Sequence, residues 1–506
     1  MVRSWPRWFC LLVVSFGLAF FGTGTAWAAE SGGKVYVVLW FDTEDYILPA
    51  SDDAALRVAD FLSKEDIRAT FKVVGEKART LERRKRDDVI KALKNHEIGY
   101  HSNYHSVQPT PAQYLDELGW DEGVAEFDRR EKPGLEDVKR IFGVAPTCYG
   151  QPGSSWAPQT YGALRQWGME VYLDAGSHVS LEDKPHYYCG VLNLYKLAHL
   201  IRADIKNPGD LDKANDRFAE ARKALLAEGG GVVSIMYHPC EFVHKEFWDG
   251  VNFRNGANPP RDKWKLPPMK TADESRAAYQ VFESYIRFIK RFPDVRFITA
   301  SEAAVLYRDK ARGRKFSLDE LKAIALALKD RASYFKTPDF SLSAGESLCL
   351  LNQYVSAKAA GRDVESLELK RSPYGPTSGN AALEHGVETD DSQFTRTASQ
   401  VDEYLTKHDR LPGTVWLGSV GVPPEDYLPA LANVALELLD GNPVPKKIEV
   451  KPGVLVPGKF VASDDPKLWS WVIFPPGFRA ARLMALAKKQ AWTIKPALLD
   501  REAGKK

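Results

Sequence analysis

Three carboxylates lie close together at the end of an apolar run. Asp42, Glu44 and Asp45 follow residues 35–41, VYVVLWF, a pattern typical of a buried strand. Carboxylates crowded at the end of a buried strand repel one another and lose solvation unless a cation lies among them. The stretch therefore predicts either a solvated acidic turn or a site that holds a positive ion.

A pair of histidines further along the chain favours the second interpretation. His101 and His105 are four positions apart in residues 96–105, HEIGYHSNYH. On a helical turn this spacing projects both imidazoles from one face. Two histidines and one carboxylate can form a facial triad around a divalent metal. One further carboxylate of the acidic turn is then available as a general base for an attacking water.

These two motifs belong to a series that resembles the polysaccharide deacetylase family, of the carbohydrate esterase family 4 type. The resemblance extends over residues 34–307 and is carried by four blocks in the family's order: FDTED at 41–45, RATFKVVGE at 68–76, HEIGYHSNYH at 96–105 and GGGVVSIMYHPCEF at 229–242. The family removes N-acetyl groups from sugars with the help of a metal. The resemblance therefore implies a hydrolase of an amide bond.

The resemblance also implies a ligand set. It gives His101 and His105 as ligands, with Glu44 as the first choice for the carboxylate and Asp45 as the reserve. The implied cofactor is a divalent metal, with Zn²⁺ as the first choice and Co²⁺ or another divalent ion as alternatives. Asp42 is then the general base.

His238 is the candidate general acid. It follows the strand pattern VVSIMY, as Asp42 follows VYVVLWF, and the carboxyl ends of strands in a parallel barrel converge on one face. An imidazole with an ordinary pKa of about 6.5 can protonate a leaving amine near neutrality. By resemblance, Asp174 orients the imidazole of His238. A plain loop aspartate is the alternative.

The loop at 148–159, CYGQPGSSWAPQ, departs from the family pattern. With Pro152 aligned to the family's proline, Gly150 stands where the family has an arginine that holds the base aspartate. Gln151 is a neutral replacement that could orient Asp42. By resemblance this loop lines the pocket, and we assign Gln151, Pro152 and Trp156 to substrate binding. The departure leaves a non-sugar amide open as the substrate.

Strand-like and helix-like segments alternate from residue 52 to residue 310, which indicates a parallel sheet in an α/β fold. The resemblance implies an irregular (β/α) barrel of about seven strands over residues 34–308. Residues 243–274 form a long aromatic loop, predicted either to stack on sugar rings or to pack onto the barrel as a lid.

The second half is expected to be a mainly helical α+β region. Residues 316–440 read as two helical, repeat-like modules with an exposed loop near 370–394, and residues 441–506 as a small α+β segment. The second module resembles pseudomurein-binding-type repeats. A plain helical accessory domain is the alternative.

The N-terminus reads as a signal peptide over residues 1–28. Arg3 and Arg7 precede an apolar run, and residues 26–28 are an A-x-A cleavage signal.

The mature chain is then close to neutral and has no basic block, which argues against a nucleic-acid partner. Four cysteines remain and are open to one or two disulfides: Cys148, Cys189, Cys240 and Cys349.

The sequence thus predicts an exported, periplasmic or secreted enzyme. It has no stable membrane span after cleavage, and it acts on a polysaccharide or a peptidoglycan-like substrate. A catalytically silent protein that binds the cell envelope through its C-terminal modules is the alternative from another class. The sequence makes no prediction of the oligomeric state.

Overall fold

The fold is built around a curled half-barrel sheet in which most strands are parallel. The computed structural model describes residues 33–205, 207–379, 381–501 and 503; the predicted signal peptide lies outside them. The strands of the sheet are β1 (Val35–Thr43), β2 (Thr70–Val73), β3 (Glu97–Tyr100), β4 (Cys148–Tyr149), β5 (Val171–Leu173), β6 (His186–Tyr188), β7 (Val191–Leu194), β8 (Leu200–Ile201), β9 (Gly231–Tyr237), β10 (Val295–Ile298) and, from the C-terminus, β19 (Lys495–Pro496).

Strand β1 is the centre of this sheet. It pairs in parallel with β9 along residues 35–41, with β10 near its start and with β2 near its end. All nine of its residues are buried, because one face packs against the outer helices and the other faces the inside of the half-barrel. A strand buried on both faces reads as a continuous apolar run, which is the pattern that the sequence shows.

Helices alternate with the strands; most of them pack on the outer face of the sheet, and the last one packs on the inner face. They are α1 (Ala50–Lys64), α2 (Gly75–Arg83), α3 (Asp87–Lys94), α4 (Pro111–Leu115), α5 (Trp120–Phe142), α6 (Gln159–Trp167), α7 (Asp210–Ala227), α8 (Trp248–Asn252), α9 (Ala272–Lys290) and α10 (Ala300–Leu306). Alternation of these helices with parallel strands puts the carboxyl ends of the strands at one edge. The predicted α/β fold class with a (β/α) barrel arrangement is confirmed.

The predicted helical C-terminal region is also confirmed. It contains α11 (Leu318–Leu328), α12 (Ala344–Ala359), α13 (Asp391–His408), α14 (Pro424–Leu439) and α15 (Ala481–Lys489). Four short antiparallel pairs join them: β11 (Lys315–Ser317) with β14 (Ser366–Glu368), β12 (Phe335–Lys336) with β13 (Ser341–Leu342), β15 (Val387–Thr389) with β18 (Ile448–Val450), and β16 (Val415–Leu417) with β17 (Val420–Val422).

The region has its own apolar core, yet its last segment returns to the barrel. Strand β19 pairs antiparallel with β6 and extends the barrel sheet. The residues from Gly33 onward form one compact unit. The division at 34–308, 316–440 and 441–506 stays a prediction.

The four cysteines are buried as free thiols. Among the described residues, no helix combines the length and the apolar character needed to cross a lipid bilayer.

Candidate active site

The predicted catalytic and metal-binding groups meet at the carboxyl ends of four strands. A cavity of about 970 Å³ opens there, and its lining includes Asp42 and Glu44 after β1, His101 and His105 after β3, Asp174 after β5 and His238 after β9. These residues are far apart in sequence. The parallel arrangement of the strands brings them together.

Glu44, His101 and His105 form a compact group of potential metal ligands. Glu44 Oε2 lies 2.9 Å from Nε2 of His105 and 3.7 Å from Nε2 of His101. A tetrahedral zinc ion with bonds of about 2.0–2.1 Å separates its ligand atoms by about 3.3 Å, which these distances bracket. The contact between Nε2 of His105 and Glu44 Oε2 lacks the geometry of a hydrogen bond, so within the described part of the chain this buried nitrogen has no hydrogen-bond partner. The donor set therefore fits a divalent cation.

The electrostatics of Glu44 also favour a cation. Burial raises the pKa of Glu44 to about 8, although a hydrogen bond with His101 opposes the shift. A positive ion bound beside it would return the group to a carboxylate at neutral pH.

The two imidazoles lie on an irregular loop and not on a helical turn. The predicted helical geometry is wrong, because Ser102 and His105 have positive φ angles of 66° and 55°. The loop still aims both rings inward. Nδ1 of His101 donates to the carbonyl oxygen of Gly150 at 3.0 Å, so its Nε2 is left as a lone-pair donor to a metal. Nδ1 of His105 bonds Ser106 Oγ at 2.7 Å.

A lysine that the sequence analysis missed holds the candidate base. Nζ of Lys72, on β2, lies 2.9 Å from Asp42 Oδ1 and donates to Asp174 Oδ2 at 2.7 Å. Burial opposes ionisation of Asp42, but the nearby His101, Lys72 and His238 outweigh it and lower the pKa of Asp42 to about 2. The signal was present in the sequence: a lysine inside the apolar strand ATFKVV must be paired if it is buried.

Lys72 occupies the space that a side chain at position 150 would need. A Cβ built on Gly150 would lie 2.0 Å from Lys72 Nζ and 2.3 Å from Asp174 Oδ2. The departure at Gly150 is therefore matched by a cation from the neighbouring strand. Gln151 does not take this place, since its amide donates to the carbonyls of Gly153 and Ala175 and accepts from the Tyr172 hydroxyl.

His238 lies beside the ligand group, with its Nε2 3.8 Å from Glu44 Oε2. Its Nε2 is 3.7 Å from Asp42 Oδ2, and its Nδ1 is 3.5 Å from Nη2 of Arg202 and 3.4 Å from Oε1 of Glu241. Burial, with the charge of Arg202, holds the pKa of His238 well below 6.5. The expected partner was Asp174, but that carboxylate is bound to Lys72, so Arg202 and Glu241 are the groups that contact Nδ1 of His238.

Three other predicted residues lie away from the reacting centre. Asp45 Oδ1 accepts from the backbone amides of residues 47 and 48, and its other oxygen lies in a separate buried group with Cys240 and His244. Pro152 is buried beneath its loop. Trp156 stacks on His178 in the core, with ring centroids 5.0 Å apart.

The aromatic residues of the loop at 243–274 lie in two different surroundings, and stacking on sugar rings stays a prediction. Trp248, Phe253 and Trp264 pack on one another over the barrel, with ring centroids 5.4–5.8 Å apart. Phe247 instead lines the cavity and lies edge-on to His238, with centroids 4.9 Å apart.

Three solved structures match about half of this chain at low sequence identity. A putative polysaccharide deacetylase from Mycobacterium smegmatis is 16% identical over 54% of this chain and 90% of its own, with a TM-score of 0.36. A PuuE allantoinase is 14% identical over 57% and 97%, with a TM-score of 0.34. A probable polysaccharide deacetylase from Pseudomonas aeruginosa is 11% identical over 54% and 90%, with a TM-score of 0.34.

No curated protein matches the chain in sequence. Residues 29–172 match the family model described as "Polysaccharide deacetylase". This stretch contains β1 to β4 and the start of β5, with Asp42, Glu44, Lys72, His101 and His105. Over residues 29–172 this chain is therefore similar to the polysaccharide deacetylase family, whose members are hydrolases that act on carbon–nitrogen bonds outside peptides.

Proposed function

We propose that this protein is a metal-dependent deacetylase that hydrolyses the N-acetyl group of an envelope or extracellular polysaccharide. The single observation that carries the proposal is the convergence of Glu44, His101 and His105 within one cavity that also holds Asp42 and His238. Each of these groups has a separate task in amide hydrolysis.

Glu44, His101 and His105 would hold the cation, with Zn²⁺ as the first choice and Co²⁺ or another divalent ion as alternatives. When bound, such an ion polarises a carbonyl group and acidifies water. The hydrogen bond from His101 to the carbonyl of Gly150 keeps its Nε2 free for this role.

Asp42 is the proposed general base. Its carboxylate takes a proton from the attacking water, and Lys72 keeps it ionised and fixed in position. His238 then delivers a proton to the leaving nitrogen. Burial and Arg202 hold the pKa of this imidazole well below 6.5, so the proton that it delivers is the one that Asp42 takes from the water. Nε2 of His238 is 3.7 Å from Asp42 Oδ2, so the two groups reach the same reacting atoms.

Export is part of the proposal. It rests on the N-terminal sequence, in which Arg3 and Arg7 precede an apolar run and an A-x-A signal ends at residue 28. An exported chain would meet N-acylated polymers of the envelope or of the surroundings.

A second candidate keeps the site and changes the substrate to a non-sugar amide. It is favoured by the rebuilt surroundings of Asp42, where Gly150 and Lys72 replace the arginine of the family pattern. The two candidates differ in which compounds release a carboxylic acid.

The test is metal content together with acetate release. Purified mature protein is compared with a variant carrying His101→Ala and His105→Ala, and with a control variant in which the exposed His385 and His408 are both changed to alanine. We expect about one metal ion per chain in the wild type and the control and none in the first variant. Acetate should be released from chitooligosaccharides or peptidoglycan only by the proteins that bind the metal.

Other outcomes separate the alternatives. A wild-type chain that takes up no metal after supplementation contradicts the proposal. Bound metal without acetate release would favour the second candidate, in which the substrate is a non-sugar amide. A silent envelope-binding protein would instead bind isolated envelope material without turnover, and its binding would be unaffected by Asp42→Asn.

A further inference from the structure

A tryptophan near the C-terminus lies in the wall of the active-site cavity. The indole of Trp471 is edge-on to the ring of His105, with centroids 5.1 Å apart, and its Nε1–H donates to Asp249 Oδ2 at 2.6 Å. Nothing in the local sequence around residue 471 indicates this position. It adds an aromatic surface directly beside a proposed metal ligand.

Trp471 is held on both sides by the barrel loops. Its amide donates to Ser154 Oγ at 3.1 Å, and the carbonyl oxygens of Val472 and Ile473 accept from the amides of Asn255 and Gly256 at 2.9 and 2.8 Å. Gly153 makes room for it: a Cβ there would lie 2.1 Å from Cδ2 of the indole. The packing of Trp471 against this loop therefore requires a residue without a side chain at Gly153.

The preceding residues are fixed to a second loop. The amides of Ser180 and Ala462 donate to the carbonyl oxygens of Phe460 and His178, each at 2.9 Å. Trp469 is buried against His178, with ring centroids 4.7 Å apart. Residues 460–473, here called the cover segment, are thus attached at three loops on the carboxyl edge of the sheet, those that follow β4, β5 and β9.

The cover segment forms one wall of the active-site cavity. Its residues Lys467, Leu468, Ser470, Trp471 and Val472 line one side of the space of about 970 Å³. This volume is near the upper end of the range, about 300–1,000 Å³, in which proteins enclose small ligands. An enzyme that acts on the interior of a polymer needs a groove that is open at both ends. Here Trp471 lies against the loop that carries His105, where such a polymer would have to pass.

We propose that the cover segment limits the enzyme to acylamino groups on short oligomers or at chain ends, with Trp471 as the residue that excludes the interior of a polymer. This inference rests on the proposed function and deepens it. Short oligomers and polymer chain ends present the same chemical group, an N-acylated sugar unit at the end of a chain. The indole acts by steric exclusion and by offering a ring face for stacking, and takes no part in proton transfer.

The test compares a ladder of N-acetylglucosamine oligomers with long, soluble glycol chitin. For the wild type, we expect kcat/KM per acetyl group to be at least about tenfold higher on the oligomers, and Trp471→Ala to reduce this ratio to within about threefold. Mass spectrometry of the product from a tetramer should show acetyl loss at a terminal unit for the wild type and at inner units for the variant. Trp416→Ala is the matched control, since this exposed tryptophan lies in the helical region.

Equal rates on polymer and oligomers in the wild type would overturn the inference and leave the proposed function intact. A long oligomer and a dimer with the same rate, but no attack on the polymer, would assign the activity to chain ends. A dimer favoured over every longer oligomer would assign it to short substrates.

A second measurement decides the matter if Trp471→Ala does not fold or if no acetate is released. The metal-loaded wild type is exposed to free iminodiacetate and to iminodiacetate attached to high-mass dextran. If the dextran-bound chelator removes the metal at least about tenfold more slowly than the free chelator does, exclusion by the cover segment is supported. Equal rates of removal would overturn it. Absence of acetate on every substrate, with metal bound, would separately remove the sugar deacetylase proposal.

Discussion

At the scale of single residues, the centre of this site is an arrangement of buried charges. Asp42, Glu44 and Asp174 would repel one another in the low dielectric of the barrel. Lys72 lies between the first and the last of them, with its ammonium 4.2 Å from the centre of the Trp40 ring. Burial lowers the pKa of Lys72, but the two carboxylates raise it above its ordinary value, so the cation persists at neutral pH. Asp42, the proposed base, therefore keeps a fixed partner whether or not a metal is bound.

Lys72→Met is predicted to remove catalysis while leaving the ligand group in place. Methionine keeps the length of the side chain but not the charge, so Asp42 loses its partner. We expect kcat to fall by about 10²-fold or more, because positioned proton transfer contributes that much. Metal content, measured by atomic emission, should stay at the wild-type level.

The matched control for this prediction is Lys495→Met. Lys495 is similarly buried and is paired with Glu346 and Asp309, away from the cavity. Its loss should lower stability without lowering kcat of the folded fraction. Wild-type kcat in the Lys72 variant would show that the ammonium is not needed to position Asp42.

At the scale of elements, strand ends were predictable and loop geometry was not. The apolar runs before Asp42 and His238 identified two buried strands, and the convergence of parallel strand ends placed both residues at one site. The conformation of the loop that carries His101 and His105 has no such signal, since its positive φ angles depend on tertiary contacts. Lys72 was missed because its partners lie on other strands. Trp471 was missed because its hydrogen bond to Ser154 spans 317 positions.

Strand β19 is the element that joins the two halves of the chain. It pairs with β6 of the barrel, and the buried Nζ of Lys495 donates to both oxygens of Glu346 on α12, at 2.9 and 2.8 Å, and to Asp309 at 2.7 Å. A buried lysine at such a junction stabilises the fold only while its carboxylates are present.

Lys495→Met is therefore predicted to destabilise the whole protein. It leaves the buried carboxylate of Glu346 without its partner, and the free energy of unfolding should fall by about 3–5 kcal/mol. Urea unfolding measures the change. Adding Glu346→Gln should recover part of the loss, whereas Lys447→Met, in an exposed pair with Glu388, should leave the midpoint nearly unchanged. A Lys495 variant as stable as the wild type would contradict this account of the junction.

At the scale of the whole molecule, the C-terminal region is part of the barrel's architecture. The cover segment and β19 contact the barrel, while Trp492 packs in the core of the helical region. Beneath the cover segment, the ring of His178 lies between Trp156 and Trp469, and its Nδ1 bonds the Tyr195 hydroxyl at 2.7 Å. Because the formal net charge is only +2, we expect pH to act on stability through buried groups such as this one more than through overall repulsion.

His178 is predicted to make the fold sensitive to acid. Burial lowers the pKa of His178 to about 3, whereas in the unfolded chain it is about 6.5. Between these values the unfolded state binds a proton that the folded state does not, so stability is lost as the pH falls from about 6.5 towards 3, by up to about 1.4 kcal/mol per pH unit. His178→Gln, which does not titrate, should reduce this slope by that amount in urea unfolding between pH 7 and pH 5. His408→Gln, at an exposed position, should leave it unchanged. An equal slope in the wild type and the His178 variant would show that acid acts elsewhere in the fold.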